Sequence, residues 1–169
     1  IDQAEIAKQR FAFEDLFLLQ LNNLKIKHQI SKIVTIPLPS NSSKVAEYIN
    51  NLPFSLTGAQ QRSLEEALSD LSHTQPMNRL LQGDVGSGKT VIAAIIAMVT
   101  ASHGKQTAFM APTEVLSRQH YRTLTKFFPY FPIGFLTSNE ARAFYGEGLE
   151  GKKSKAQLLK EINSGEIKI

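Results

Sequence analysis

The 169-residue chain contains no cysteine and no tryptophan. Without cysteine there can be no disulfide framework, no thiolate zinc site and no thiol nucleophile. Long hydrophobic runs are missing too. The longest near-continuous one, Val91 to Val99, falls well short of the ~20 residues that span a bilayer, and no charged leader precedes a hydrophobic segment at Ile1. No membrane segment is expected, and a cytoplasmic location is. A strong excess of one charge is likewise absent: 19 basic against 15 acidic residues leaves a net charge of +4, which permits a polyanionic partner without requiring one. What remains is an ordinary globular composition, 42% hydrophobic and 20% charged, on about one domain's length of chain. The chain starts at Ile1 rather than Met and stops at Ile169 inside an expected strand, so it reads as a piece of a longer polypeptide.

From Ile1 to about Leu24 the spacing of Phe13, Leu16, Phe17, Leu21 and Leu24 predicts a helix, with Leu18 and Leu19 off the main apolar stripe. Such a helix needs cover on more than one side. Residues 25–42 read as a connector: Ile33 to Ile36 suits a short strand, and Pro37, Pro39, Ser40, Asn41, Ser42 and Ser43 punctuate a turn. A short helix is expected from Lys44 to Asn50. A second helix starts at Thr57, where Thr57-Gly-Ala-Gln60 has the capping-box pattern, and its apolar face runs through Leu64, Leu68 and Leu71. Beyond it, strands are expected at Asn78–Gln82, Thr107–Met110, Ile133–Leu136 and Glu166–Ile169. Helices are expected at Gly88–His103, Thr113–Phe128 and Lys152–Asn163, and a loop at Asn139–Gly151. Alternation of this kind predicts a parallel sheet with helices on its faces.

The most informative stretch is Gly83-Asp84-Val85-Gly86-Ser87-Gly88-Lys89-Thr90, which fits G-x-x-x-x-G-K-[ST] at every fixed position. It follows an expected strand and opens an expected helix, so successive backbone N–H groups and the helix N-terminus can point at nucleotide phosphates. Lys89 would reach the β- and γ-phosphates, and Thr90 would place its hydroxyl on Mg²⁺. A plain glycine-rich turn accounts for the glycines but not for Lys89 and Thr90 beside them. The following run, Val91 to Val99, is apolar on all sides, as a buried helix should be.

Other segments cluster around this loop. Phe54-Ser-Leu-Thr57-Gly-Ala-Gln60 lies upstream, Ala111-Pro-Thr-Glu-Val-Leu-Ser-Arg-Gln-His120 follows the next expected strand, and Phe135-Leu-Thr-Ser138 ends the one after. In an open parallel sheet, that edge is where ligands bind. In these residues, together with His103-Gly-Lys-Gln106, the chain resembles the superfamily 2 DNA helicases and, within them, the RecG branch. The resemblance implies an incomplete P-loop NTPase (RecA-like) α/β fold, a parallel sheet flanked by helices. Residues 43–169 would be the front of the first ATP-binding lobe. Residues 1–42 would be an α-helical linker and connector from a DNA-binding wedge domain. It implies ATP and Mg²⁺ as cofactors and branched DNA, such as forks and Holliday junctions, as partner. Phe54, Thr57 and Gln60 would be an adenine-recognition motif. Gly83 to Thr90 would be the ATP loop, with Lys89 and Thr90 in the catalytic roles. Pro112, Thr113, Glu114, Arg118, Gln119 and His120 would lie on the DNA side.

On their chemistry alone these residues keep other readings. Thr57 and Gln60 satisfy a capping box without any adenine, although a Gln amide also complements adenine's N6 and N7. The cations from Arg118 to Lys126 could form a solvated helix face, and Phe127, Phe128, Tyr130 and Phe131 suit core packing better than base stacking. The family completes its site with an Asp-Glu strand and a second lobe, and the 169 residues contain no Asp-Glu dipeptide. The piece alone is therefore expected to bind nucleotide weakly and not to turn it over. The alternatives are a transcription-repair coupling translocase, a phosphate-loop enzyme of another class, such as a small-molecule kinase, and a non-catalytic module.

Overall fold

The computed structural model describes residues 3–39 and 42–169. Expectations that touch Ile1, Asp2, Ser40 and Asn41 lie outside them. In chain order the elements are α1 (Gln3–Ser31), α2 (Ser42–Asn50), α3 (Gly58–Leu71), α4 (Lys89–Ser102), α5 (Glu114–Phe127), β1 (Ile133–Leu136), β2 (Ala141–Phe144), β3 (Glu150–Lys152) and α6 (Lys155–Asn163). The first helix runs further than its apolar stripe predicted, to Ser31, and none of its residues is buried. Phe13 and Phe17 stack on each other, with ring centroids 5.9 Å apart. The expected strand at Ile33–Ile36 is an extended connector tied to the end of α3: Thr35 N donates to Thr74 O at 2.7 Å and Leu38 N to Leu71 O at 2.8 Å.

The core is built around α4. Ala94, Ile95, Ala97 and Met98 are essentially inaccessible, and Val45 of α2, Leu64 and Leu68 of α3, Tyr121 and Leu124 of α5, and Ile133 and Phe135 of β1 belong to the same cluster. Phe128 is buried in that cluster, with Phe127 and Phe131 packed against it, so this part of the aromatic run is core, while Tyr130 stays exposed. The other face of the sheet carries small residues. Gly134 and Leu136 pair with Ala143 and Ala141. A Cβ at position 134 would lie 3.0 Å from Ile167 and 3.3 Å from Leu158. The missing side chain at 134 lets Leu158 of α6 and Ile167 close against the strands, where they share a second cluster with Ala141 and Ala143.

The regular sheet is antiparallel, in the order β1-β2-β3, which corrects the parallel sheet expected from the sequence. The reason is connection length. β1 and β2 are joined only by residues 137–140, and a parallel pair needs a crossover of a dozen residues or more. Thr137 closes this turn, its hydroxyl accepting from Glu140 N at 3.0 Å. The second correction concerns Asn139–Gly151, expected as a loop, which holds β2 and most of β3. Positive φ at Gly146, Glu147 and Gly148 makes the turn between them. The glycines that suggested irregular structure are hairpin punctuation.

The strands expected at 78–82, 107–110 and 166–169 carry no regular secondary structure and form no ladders. Thr107 N donates to Lys168 O at 2.9 Å, Lys168 N to Pro132 O at 3.0 Å and Gly134 N to Ile169 O at 2.8 Å. Residues 166–169 thus lie between the 107 segment and β1. Against β1 the residue numbers rise together, the sense of a parallel pair, but the bonds are isolated. Among the described residues no backbone bond ties 78–82 to another segment, and Leu80 is 88% exposed. This segment is held instead by Arg79, which pairs with Glu66 and Asp70 of α3.

Leu64, 2% exposed between α3 and α4, anchors this packing. Leu64→Ala is expected to lower unfolding free energy by about 2–5 kcal/mol, and Leu80→Ala by no more than about 0.5 kcal/mol. Urea denaturation followed by circular dichroism measures both.

Candidate nucleotide and nucleic-acid site

The phosphate loop ends where α4 begins. Gly88 is the residue before the helix, with φ +86°, and Gly86 has φ +84°. At Gly86 the need for glycine is conformational, since a Cβ would meet nothing within 4 Å. At Gly88 it is also steric, because a Cβ would stand 2.3 Å from Gln60 Nε2. Lys89 folds back over the loop and donates from Nζ to Gly83 O at 2.7 Å, Asp84 O at 2.6 Å and Ser87 Oγ at 3.5 Å. The ammonium therefore sits among the loop's own oxygens, which phosphate oxygens could replace with a stronger, charge-assisted bond. Asp84, Val85 and Ser87 are exposed, and Val85 stands at the tip.

Gln60 joins the upstream motif to this loop. Its Oε1 accepts from Thr57 N at 2.8 Å, Thr57 Oγ1 accepts from Gln60 N at 3.3 Å, and Gln60 Nε2 donates to Ser87 O at 2.8 Å. The capping box is real, and the same side chain reaches across to the loop. A carboxamide has two acceptor positions and two donor hydrogens. One of each is used here, leaving one of each, the number that adenine's N6 and N7 require. Phe54 is 42% exposed and packs edge to face on Phe127 at 5.8 Å.

Thr90 lies in the first turn of α4, and its hydroxyl has no hydrogen-bond partner among the described residues. No cluster of three or more His, Cys, Asp or Glu able to hold a metal occurs among them either. This donor set suits Mg²⁺ bound through one protein oxygen together with phosphates and water, rather than an all-protein cage.

Residues 112–120 divide. Thr113 caps α5, its hydroxyl accepting from Leu116 N at 3.3 Å, and Pro112 and Thr113 are exposed. Arg118, Gln119 and His120 are successive helical residues about 100° apart, so they point three ways. Gln119 faces solvent, and His120 packs on Phe109 with ring centroids 5.2 Å apart. Arg118 turns toward the hairpin, where Nη2 meets Glu114 Oε1 at 3.0 Å, Nη1 pairs with Glu140, and the guanidinium lies over Phe135 at 5.4 Å. Asn139 Nδ2 donates to the other oxygen of Glu114 at 3.3 Å. The network continues through Arg142, which pairs with Glu140 and Glu150, to the Tyr121 hydroxyl, 3.1 Å from Glu150. Burial and then the Glu150 charge push the Tyr121 hydroxyl far up from its ordinary value. The i,i+4 spacing of Glu114 and Arg118 was visible in the sequence. Asn139, Glu140 and Phe127 were not marked as site residues, because only tertiary packing brings them here.

The DEAD/DEAH box helicase family model matches residues 57–169, two-thirds of the chain and all of the loop-bearing part. The chain belongs to that family. Membership accords with the incomplete P-loop, RecA-like α/β reading. Among curated relatives, the chain is similar to proteins named ATP-dependent DNA helicase RecG. That of Thermotoga maritima is 46% identical over 129 residues, 76% of this chain and 16% of that protein. Those of Borreliella burgdorferi and Bacillus subtilis are 38% and 37% identical, each over 98% of this chain and 23% of the relative. The chain thus spans between 16 and 23% of the length of these relatives. No helix among the described residues is long and apolar enough to cross a membrane.

Two outcomes follow from this geometry. Gly88→Ala and Gln60→Ala are each expected to destabilise the fold, Gly88→Ala by about 1–2 kcal/mol from its positive φ alone. Their double variant should lose less than the sum, because Gln60→Ala removes the atom the new Cβ meets; denaturation of the four proteins tests this. The hydrogen bond from Arg142, and then that from Arg118, holds the Glu140 carboxyl below its ordinary value of 4.5. A lowered folded pKa contributes stability that is complete above 4.5 and is lost as pH falls through the folded value. The stability difference between wild type and Glu140→Gln should therefore be largest at neutral pH and shrink below 4.5, read from urea midpoints across pH.

Proposed function

We propose that this chain is the front part of the first motor lobe of an ATP-dependent DNA helicase of the RecG kind. Residues 43–169 would belong to the lobe, and 1–42 would be a linker and connector from a DNA-binding wedge domain. The observation that carries the nucleotide reading is the coupling of Lys89 and Ser87 in the loop to Gln60 of α3. The lysine is clasped by the loop's oxygens at the mouth of α4, and the Gln60 amide keeps a spare donor and acceptor beside it.

The roles follow from that chemistry. Lys89 exchanges carbonyl oxygens for β- and γ-phosphate oxygens of ATP, and the loop N–H groups with the start of α4 add partial positive charge. Gln60 reads the adenine edge, with Phe54 supplying apolar cover and Thr57 fixing the amide. Thr90 offers the protein oxygen for Mg²⁺, which neutralises phosphate charge when bound. The exposed Pro112 and Thr113 at the capped start of α5 face the DNA backbone, with Gln119 further along the helix, while Glu114 and His120 of the same motif shape that surface from behind through Arg118 and Phe109. In the whole protein these parts would drive remodelling of branched DNA, forks and Holliday junctions, during recombination and repair in the cytoplasm. The branched-DNA reading rests on the likeness to proteins named ATP-dependent DNA helicase RecG. The 169 residues have no Asp-Glu dipeptide, and this segment would bind nucleotide weakly without turning it over.

Titration of a fluorescent ATP analogue with Mg²⁺ tests the reading. Saturable binding is expected, weakened about 10- to 100-fold by Lys89→Ala through loss of charged hydrogen bonds. GTP should compete more weakly than ATP. Binding that Lys89→Ala leaves unchanged, or Mg²⁺-dependent hydrolysis by the segment that the same substitution abolishes, would contradict it.

A further inference from the structure

We propose that Arg118 is a positioning residue, which braces the start of α5 against the β1–β2 turn and makes no contact with nucleic-acid phosphate. The inference rests on the reading of α5 as part of a DNA-binding surface and reassigns one member of that surface.

The geometry argues against a phosphate contact. A guanidinium binds phosphate best with two adjacent N–H groups presented as a fork. Here the terminal nitrogens are already divided between two carboxylates, Glu114 at 3.0 Å and Glu140, while the planar face rests on Phe135 at 5.4 Å. Carboxylates also outnumber arginines within the linked cluster itself, beside which Arg122 lines the same cavity as Arg118. Glu114, Glu140 and Glu150 against Arg118 and Arg142 leave the linked cluster net negative, so a phosphate approaching Arg118 meets carboxylates within hydrogen-bond distance of it.

The same contacts make a good brace. Glu114 is the first residue of α5 and is held twice, by Arg118 through one oxygen and by Asn139 through the other. Glu140, at the opposite end of the link, is the residue whose N–H and carbonyl close the turn onto Thr137. The capped start of α5, with its exposed Pro112 and Thr113, is thereby fixed to the strand edge. Partly exposed ion pairs of this kind add little to overall stability, but a network of them fixes a local orientation.

The two roles predict opposite results. If Arg118 touched phosphate, removing its charge would lower the slope of log affinity against log salt by about 1. Removing the Glu140 charge would release Arg118 and tighten binding. If Arg118 is a brace, both changes loosen the helix start. The test uses the complete polypeptide that carries this segment and a fluorescein-labelled single-stranded oligonucleotide, titrated between about 50 and 200 mM salt. Arg118→Gln and Glu140→Gln are each expected to weaken binding about three- to tenfold with an unchanged salt slope. Arg118→Lys keeps the charge but cannot span both carboxylates, and should weaken binding likewise. Amide exchange at Leu116 and Ser117, measured without DNA, should rise in all three variants while exchange at the core residues Ile95 and Met98 stays as in wild type, which separates a loosened helix start from general unfolding. A slope reduced by about 1 in Arg118→Gln, tighter binding by Glu140→Gln, or wild-type affinity in all three variants would overturn the assignment. A wild-type protein with no salt-dependent DNA binding would instead overturn the proposed function, and this inference with it.

Discussion

Helix α4 is apolar around most of its circumference, so water is excluded from it and the rest of the molecule is arranged as its cover. Ala94, Ile95 and Met98 lie at its centre with essentially no exposure, and α2, α3, α5 and β1 each contribute side chains to the same cluster. Burying side chains the size of Ile95 and Met98 is worth about 1.5–3 kcal/mol each relative to leaving them exposed. Because the helix begins within the phosphate loop, the same burial fixes the direction from which Lys89 and Thr90 emerge. The stability of the core and the aim of the loop are one constraint.

Polar contacts then register the pieces that burial alone would leave free to slide. Gln60 ties the capped start of α3 to Ser87, so the upstream motif cannot shift without disturbing the loop. Glycine at 88 is the condition for that approach, since any side chain would occupy the position of the Gln60 amide. At the start of α5, the Glu114–Arg118–Glu140 link registers a helix against a hairpin turn. In both places a helix N-terminus bearing candidate ligand groups is held by a side chain from another element. The two ends differ in charge: a lysine stands over the first, whereas the second is flanked by a net-negative cluster.

The helices were legible because their signals are local. The Thr57–Gln60 box, the run after Lys89 and the Thr113 cap are patterns within one to three turns of chain, and these three helices appear within a few residues of where they were expected. The glycine-rich loop was legible for a related reason, since its glycines, lysine and threonine stand at fixed spacing. Strands were harder to read. The alternation in Ala141-Arg-Ala-Phe144 is short, and Gly146 and Gly148 drew attention to the turn rather than to the strands beside it. The segments at 78–82 and 107–110 have strand-like composition, but a strand exists only through its neighbours, and theirs are few among the described residues.

The sequence by itself determined where the chain turns helical and where the glycine-rich loop meets a helix, because these depend on residues a few positions apart. Tertiary structure decided the direction of the sheet, through the short β1–β2 connection, and the company each site residue keeps. Arg118 and His120 look alike in the sequence, as polar residues after a helix cap. Only packing sends one into a clasp of carboxylates and the other onto the Phe109 ring, since successive helical residues point about 100° apart and what they meet is set by distant parts of the chain.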